Sequence, residues 1–232
     1  MRLSRRLAAV AGGAAVVAAA AFVVPSTATA APAAAPVAAP VAAPVATKGH
    51  PLGTTPLSDT AKVFAGSFDT DWDNFNVVSH AVFAVLGAKP KSTVGVLADG
   101  KVRLTAFLPT DRAFQSLVYQ KTGLFIENEQ DVFKAVAGLG IDTVETVLLY
   151  HVVPGATITA AVALKANGAR LKTAQGQRIL VQVLGRKDKV IRLVDANRYN
   201  ADPRVNAGQT DINVGNRQIA HGISQVLLPA GA

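Results

Sequence analysis

LTAFLPTDRAF, from Leu104 to Phe114, reads as a strand that is stopped and a helix that starts at once. Val102 to Phe107 is a β-branched and aromatic-rich run of strand type. Pro109 has no backbone N–H to give to a sheet ladder and ends the strand. Thr110 or Asp111 can cap the helix behind it, and Ala113, Phe114, Leu117 and Val118 fall on one inward helical face. Two further segments have the same density of signals. VLLYHVVPG, Val147 to Gly155, is a helix-to-strand junction closed by Pro154-Gly155, and IAHGISQVLLP, Ile219 to Pro229, contains an apolar run whose spacing predicts a closing strand over Ile223 to Leu228.

On either side of these segments the periodicity is also clear. Phe75, Val78, Val82, Phe83 and Leu86 recur at helical spacing, with Asp71, Asp73 or Asn74 as the cap and an end near Gly87. His80 lies two residues from both Val78 and Val82, which turns it off their face. Asp99-Gly100 between Val94–Leu97 and Val102–Phe107 predicts a hairpin. A helix is expected from Glu129 to Leu139, with Val132, Phe133 and Val136 inward and Gly140 as its left-handed stop. Asp142-Thr143-Val144-Glu145 has the form of a capping box for another helix through Leu149. After Gly155 the pattern alternates: Arg178–Leu184 and Lys189–Val194 predict a hairpin, and a polar loop from Ala196 to Arg217 comes next. Helices in the first half and strands in the second indicate an α+β fold.

The N-terminus gives the compartment. Arg2, Arg5 and Arg6 precede an apolar run from Leu7 to Val24, and Ala28-Thr29-Ala30 has the form of a cleavage site, so residues 1–30 are expected to be a removed signal peptide. Ser4-Arg5-Arg6 leaves the general secretory and twin-arginine routes both open. Residues 31–47 are Ala, Pro and Val without charge, a semi-stiff linker, and 48–67 is a lead-in to which the sequence assigns no element. Residues 68–229 have the length of one domain, with 230–232 as a tail. The chain contains no cysteine, which excludes disulfides and an N-terminal lipid-bearing Cys. Formal charge is +8, and removal of the three signal arginines leaves 20 basic against 15 acidic side chains. Such a protein is drawn to anionic surfaces, polysaccharides or acidic proteins.

In their order and spacing the three quoted segments resemble the signature segments of a fasciclin-like domain of the secreted bacterial type. The resemblance covers about 160 of 232 residues. It implies a single wedge-shaped α+β domain, a β-sheet region packed with several short helices, and no cofactor. It also implies non-covalent binding in adhesion, with the Tyr150-His151 pair at the position linked in that family to cell-surface receptor binding. His221 matches the family's closing-segment histidine, although Ala220, Gly222 and Ser224 replace several of its usual neighbours.

The residue patterns offer no catalytic or metal set. There is no Cys, no Gly-x-Ser-x-Gly elbow, no Ser-x-x-Lys and no His-x-x-x-His. Asp69 to Asn74 begins like a calcium loop, yet Asn74 stands where Gly is needed and His80 where the bidentate Glu is needed. Tyr150 and His151 have a second reading as buried groups bonded to backbone. Arg186, Lys187, Lys189, Arg192, Arg198 and Arg204 form a basic stretch offset by Asp188, Asp195 and Asp202. Nucleic acid would want aromatic platforms there, and only Tyr199 is present. A solvated hairpin edge and an anionic contact both fit. The expectation is a secreted, extracellular or wall-associated monomer whose partner is a surface protein or an anionic polysaccharide, with Tyr150, His151 and the six basic residues as candidate contacts. A glycan-binding module and a cell-envelope hydrolase are the rivals.

Overall fold

The computed structural model describes residues 51–231; the expected signal peptide, the Pro/Ala linker and His50 lie outside the described residues. Along the chain come α1 (Leu57–Phe64), α2 (Asn76–Ala88), β1 (Leu104–Pro109), α3 (Asp111–Thr122), α4 (Glu129–Ala137), α5 (Ile141–Tyr150), β2 (Val152–Pro154), α6 (Ala160–Ala163), β3 (Arg170–Lys172), β4 (Arg178–Leu184), β5 (Val190–Val194) and β6 (Gln218–Ile223). The fold is α+β.

The three quoted segments meet in one sheet. β1 is its central strand, antiparallel to β2, with Thr105 opposite Val153, and parallel to β6, with Phe107 opposite His221. Alternation along β1 then divides the interior. Leu104 and Ala106 face a core built on α2, α3, α4 and α5, while Phe107 faces a second core with Tyr150, Ile179, Leu193 and Leu227. The sheet of β3, β4 and β5, an antiparallel meander, supplies much of that second core. A strand packed on both faces must be apolar throughout, which is why Leu104 to Leu108 carries so little polarity.

Helix α3 agrees with the sequence reading: Thr110 accepts the Ala113 N–H at 3.3 Å, and Ala113, Phe114, Leu117 and Val118 are buried. The structure adds its stop, Gly123 at φ 72°. The β4–β5 hairpin also forms, with Gln182 opposite Arg192. The cap of α2 is different. Phe75 at the N-cap position makes no side-chain cap bond; of the expected caps Asn74 accepts the Asn76 N–H through Oδ1 at 3.3 Å, and the closer acceptor is the Asp111 carboxylate, which takes the Asn76 and Val77 N–H groups at 3.0 and 2.7 Å. The sequence offers Asn74 locally but gives no sign of Asp111, which is 34 residues from Val77.

Four other expectations are corrected. The Val94–Phe107 hairpin is absent: Thr93–Ala98 is a 3-10 helix capped by Ser92, and its end is held by Gln218, whose Nε2 donates to Val96 O and Asp99 O at 2.9 and 2.8 Å. Gly100 serves a close approach, since a Cβ there would collide with the Thr54 carbonyl. The closing strand runs over Gln218–Ile223 instead of Ile223–Leu228; Val226, Leu227 and Leu228 are buried beyond its end. Helix α4 stops at Ala137, and Gly140, at φ 89°, begins α5 instead of ending α4. Asp142 and Glu145 do not form a capping box; both pair with Lys89, and Glu145 also accepts from Ser92 Oγ. The lead-in contains α1, with Leu57 in the core and its N–H on Gln218 Oε1 at 2.8 Å.

The loop 196–217 is tied down along its length. Arg204 bridges to Arg192, Val205 to Ile223 and Ile212 to Ala220, so it tracks the edges of β5 and β6. No helix among the described residues is long and apolar enough to cross a membrane.

Candidate functional site

Tyr150 ends α5 and His151 leads into β2, so the pair sits where a helix becomes a strand. Both are buried, Tyr150 at 0% and His151 at 4% exposure. The Tyr150 hydroxyl donates to Arg178 O at 3.2 Å and accepts the Ala196 N–H at 3.1 Å. Burial pushes its pKa up to about 12. His151 Nδ1 lies 2.7 Å from Val147 O and its Nε2 accepts the Leu227 N–H at 3.0 Å. A carbonyl can only accept and an N–H can only donate, so the ring is the neutral tautomer with its proton on Nδ1. Burial lowers its pKa to about 4, against the smaller upward pull of the Val147 carbonyl.

His221, on β6, has the opposite tautomer. Nε2–H donates to Ile158 O at 2.8 Å and Nδ1 accepts the Asp211 N–H at 3.2 Å. Burial again holds its pKa below the ordinary value. Each ring therefore ties two chain segments together through backbone groups. His80 stays out of the core that Val78 and Val82 join; it is half-buried in a cluster of three rings with Phe68 and Phe133, at centroid distances of 4.4 and 5.7 Å, with Nε2 3.2 Å from Gly66 O.

The basic candidates separate into two kinds. Arg186, Lys187 and Lys189 are exposed on the connection between β4 and β5, where Gly185 turns at φ 82°. Arg192, about 10 Å further along β5, is half-buried; its Nε donates to Gln182 Oε1 at 3.0 Å and stands 3.9 Å from Asp202. Arg204 is its backbone neighbour and is exposed, as is Arg198. The fold thus brings Arg192 and Arg204 together and places the 186–189 trio at the far end of the hairpin.

Sequence reasoning missed two buried carboxylates, from the first turns of α3 and α4, that gather at the start of α2. Asp111 is fully buried and caps α2, and burial pushes its pKa up to about 7 despite the two N–H donors that oppose the rise. Glu129, also fully buried, accepts from Asp69 N at 2.9 Å and Asn76 Nδ2 at 3.2 Å, while its Oε1 has no partner among the described residues. Asp195 is a third case: it accepts the Leu228 N–H at 2.9 Å, and its pKa rises to about 6 through burial. An Asp or Glu at a helix start reads locally as a surface dipole partner, so no signal in the sequence marks these groups as buried. Among the described residues no group of three or more His, Cys, Asp or Glu could hold a metal ion.

The fasciclin domain family model matches residues 78–229. Among solved structures, a FAS1 domain pair from the insect cell adhesion molecule Fasciclin I matches with 17% identity and a TM-score of 0.39, over 66% of this chain and 43% of that one. The chain therefore spans less than half the length of that structure. No curated protein matches. With the family model covering well over half of its length, the chain belongs to the fasciclin domain family.

Proposed function

We propose that the protein is secreted and acts as a monomer by non-covalent binding, in adhesion or in contact with the matrix or cell envelope. One observation carries this reading. The polar atoms of Tyr150, His151 and His221 are all spent on backbone partners inside the core, while cationic side chains stand free of the core at 186–189. An imidazole with both nitrogens bonded to backbone has none left for a substrate proton, so the groups best suited to hydrolysis serve the fold instead. Fasciclin family membership supports an extracellular binding role in the same direction.

The partner class favoured by the hairpin tip is an anionic polysaccharide or an acidic surface protein. Three of the five residues at 185–189 are cationic and only Asp188 opposes them, and exposed charges of one sign steer anionic partners with a strength that falls with salt. The test is co-sedimentation of the full chain with purified cell-envelope material at low and high salt. Retention at low salt that weakens several-fold in the triple variant Arg186→Gln, Lys187→Gln, Lys189→Gln is the expected result. Equal retention of both proteins removes the hairpin from the interface, and no retention of either at low salt removes the envelope reading. A glycan array separates the two partner classes, since a blank array leaves the protein partner.

A further inference from the structure

We propose that the cavity enclosed by α2, α3, α4 and α5 binds a compact apolar molecule, about one ring in size, that carries an acidic head at the cavity mouth. The void measures about 130 Å³, comparable to the engineered apolar cavity of about 150 Å³ that stays dry and takes up benzene. Val78, Phe114, Leu117, Val136, Val144 and Leu148 form its walls, and all six are buried. His151 and Leu228 also line it, but the ring nitrogens of His151 are already bonded to Val147 and Leu227. A water needs two or more polar partners to be held in such a space, and these walls offer none. An apolar occupant would instead regain the dispersion contacts that an empty void forfeits.

The mouth has a different character. Lys121 from the last turn of α3, Leu139 and Thr143 from the first turn of α5 line the cavity and are exposed. Leu139 is 52% exposed, an apolar side chain at the rim. Helix α5 starts at Gly140 with no side-chain cap, and its first turn reaches the rim at Thr143, which sets the positive end of its dipole beside the mouth. The one acidic side chain of that turn, Asp142, is turned to Lys89. An ammonium carries three donors, so Lys121 can add a ligand oxygen to the contacts it already makes. A helix N-terminus and a lysine on either side of an apolar hole select a small hydrophobic carboxylate, such as a monoaromatic or branched-chain acid.

The probes are phenylacetate and its neutral isostere phenylacetamide, titrated into the full chain while methyl and amide chemical shifts are followed by NMR. Phenylacetate is expected to shift the Val136, Val144 and Leu148 methyls and the Thr143 amide saturably, and to bind several-fold more tightly than the amide. Lys121→Met, at an exposed position that leaves the core intact, should weaken phenylacetate several-fold and leave phenylacetamide unchanged. Ala81→Leu, which fills the cavity from α2, should abolish both. Saturable shifts absent for both probes up to about 10 mM, the weak end for a ligand of about ten heavy atoms, would overturn the site. Equal affinity for acid and amide, or a Lys121→Met variant that binds both as before, would overturn the acidic head. These outcomes do not depend on the 186–189 hairpin, so they are distinct from those of the envelope-binding test.

Discussion

Nε2 of His151 accepts the backbone N–H of Leu227, 76 residues further on, at 3.0 Å. The next N–H, that of Leu228, goes to Asp195. The helix-to-strand junction and the apolar segment after β6 are thus joined by a side chain that must stay neutral to accept. Replacing His151 by Ala leaves two backbone groups, Val147 O and Leu227 N–H, without partners in a dry interior. The expected cost is about 1–3 kcal/mol for an unsatisfied group, with more for the space vacated. Denaturant unfolding gives the first quantity, and faster amide exchange at Leu227 locates it. A variant that keeps the wild-type midpoint and Leu227 protection would remove the structural role from His151.

The pH dependence of stability comes from groups shifted in opposite senses. His151 has a folded pKa near 4, depressed from 6.5, so the stability it contributes is present above pH 6.5 and lost as pH falls toward 4. Asp111 has a folded pKa near 7, raised from 3.8, so its contribution is present below 3.8 and lost as pH rises through 7. Each effect is on the order of 4 kcal/mol at about 1.4 kcal/mol per unit, and the two oppose each other between about pH 4 and 6.5. His221 adds to the first and Asp195 to the second. The wild-type denaturation midpoint is therefore expected to be nearly level across that window. Asp111→Asn should become less stable toward acid, and His151→Gln less stable toward neutral pH. Parallel profiles for the two variants would contradict these opposed contributions.

The capping pattern makes a second ordering measurable. Thr110 caps its own helix, and its removal to Ala should cost about 1 kcal/mol. Asp111 accepts two N–H groups of a different helix, at Asn76 and Val77. Asp111→Ala leaves the buried Val77 N–H unpaired and the Asn76 N–H with Asn74 Oδ1 alone, at 3.3 Å, and should cost about 2–3 kcal/mol, from 1–3 for the unpaired group and a smaller share for the weakened one. Amide exchange should quicken at Asn76 and Val77 in Asp111→Ala and at Ala113 in Thr110→Ala. The reverse order of stabilities would place the helix-capping weight on Thr110.

How much was legible in the sequence varies with the range of the interaction that decides each element. Helix α3 was readable because Thr110 and the apolar face of Ala113, Phe114, Leu117 and Val118 lie within nine residues of one another. The β4–β5 hairpin was readable for the same reason. The segment before β1 was not: Asp99-Gly100 has the local form of a hairpin turn, but Gln218 and Thr54, distant in the chain, dictate a 3-10 helix and a close backbone approach. Asp142 and Glu145 have the letters of a capping box, yet Lys89 and Ser92 compete for them and win. At the candidate site, the identity of the Tyr150-His151 pair could be read from its neighbours. Its burial with backbone partners was one of the two readings open there, and the structure agrees with it; the tautomer of His151 and the identity of those partners were not legible, because Arg178, Ala196 and Leu227 lie far off in the chain.

Gly100 gives the sharpest separation between the local and the tertiary explanation of a glycine. Its φ is not among the positive values of the chain, so no left-handed turn requires it. The requirement comes from the Thr54 carbonyl, which occupies the place of a Cβ, with Pro56 N next nearest. An Ala at this position must push the strand of chain before α1 outward, which loosens Leu57 from the core and its N–H from Gln218. The expected cost of Gly100→Ala is about 1–3 kcal/mol, the range for overpacking, with faster amide exchange at Leu57 and no change at Phe107. A hairpin glycine would behave otherwise, since Ala at a negative φ is harmless in a turn and removes conformational entropy from the unfolded chain. Gly100→Ala at or above wild-type stability would therefore mean that residues 51–56 do not pack against this turn.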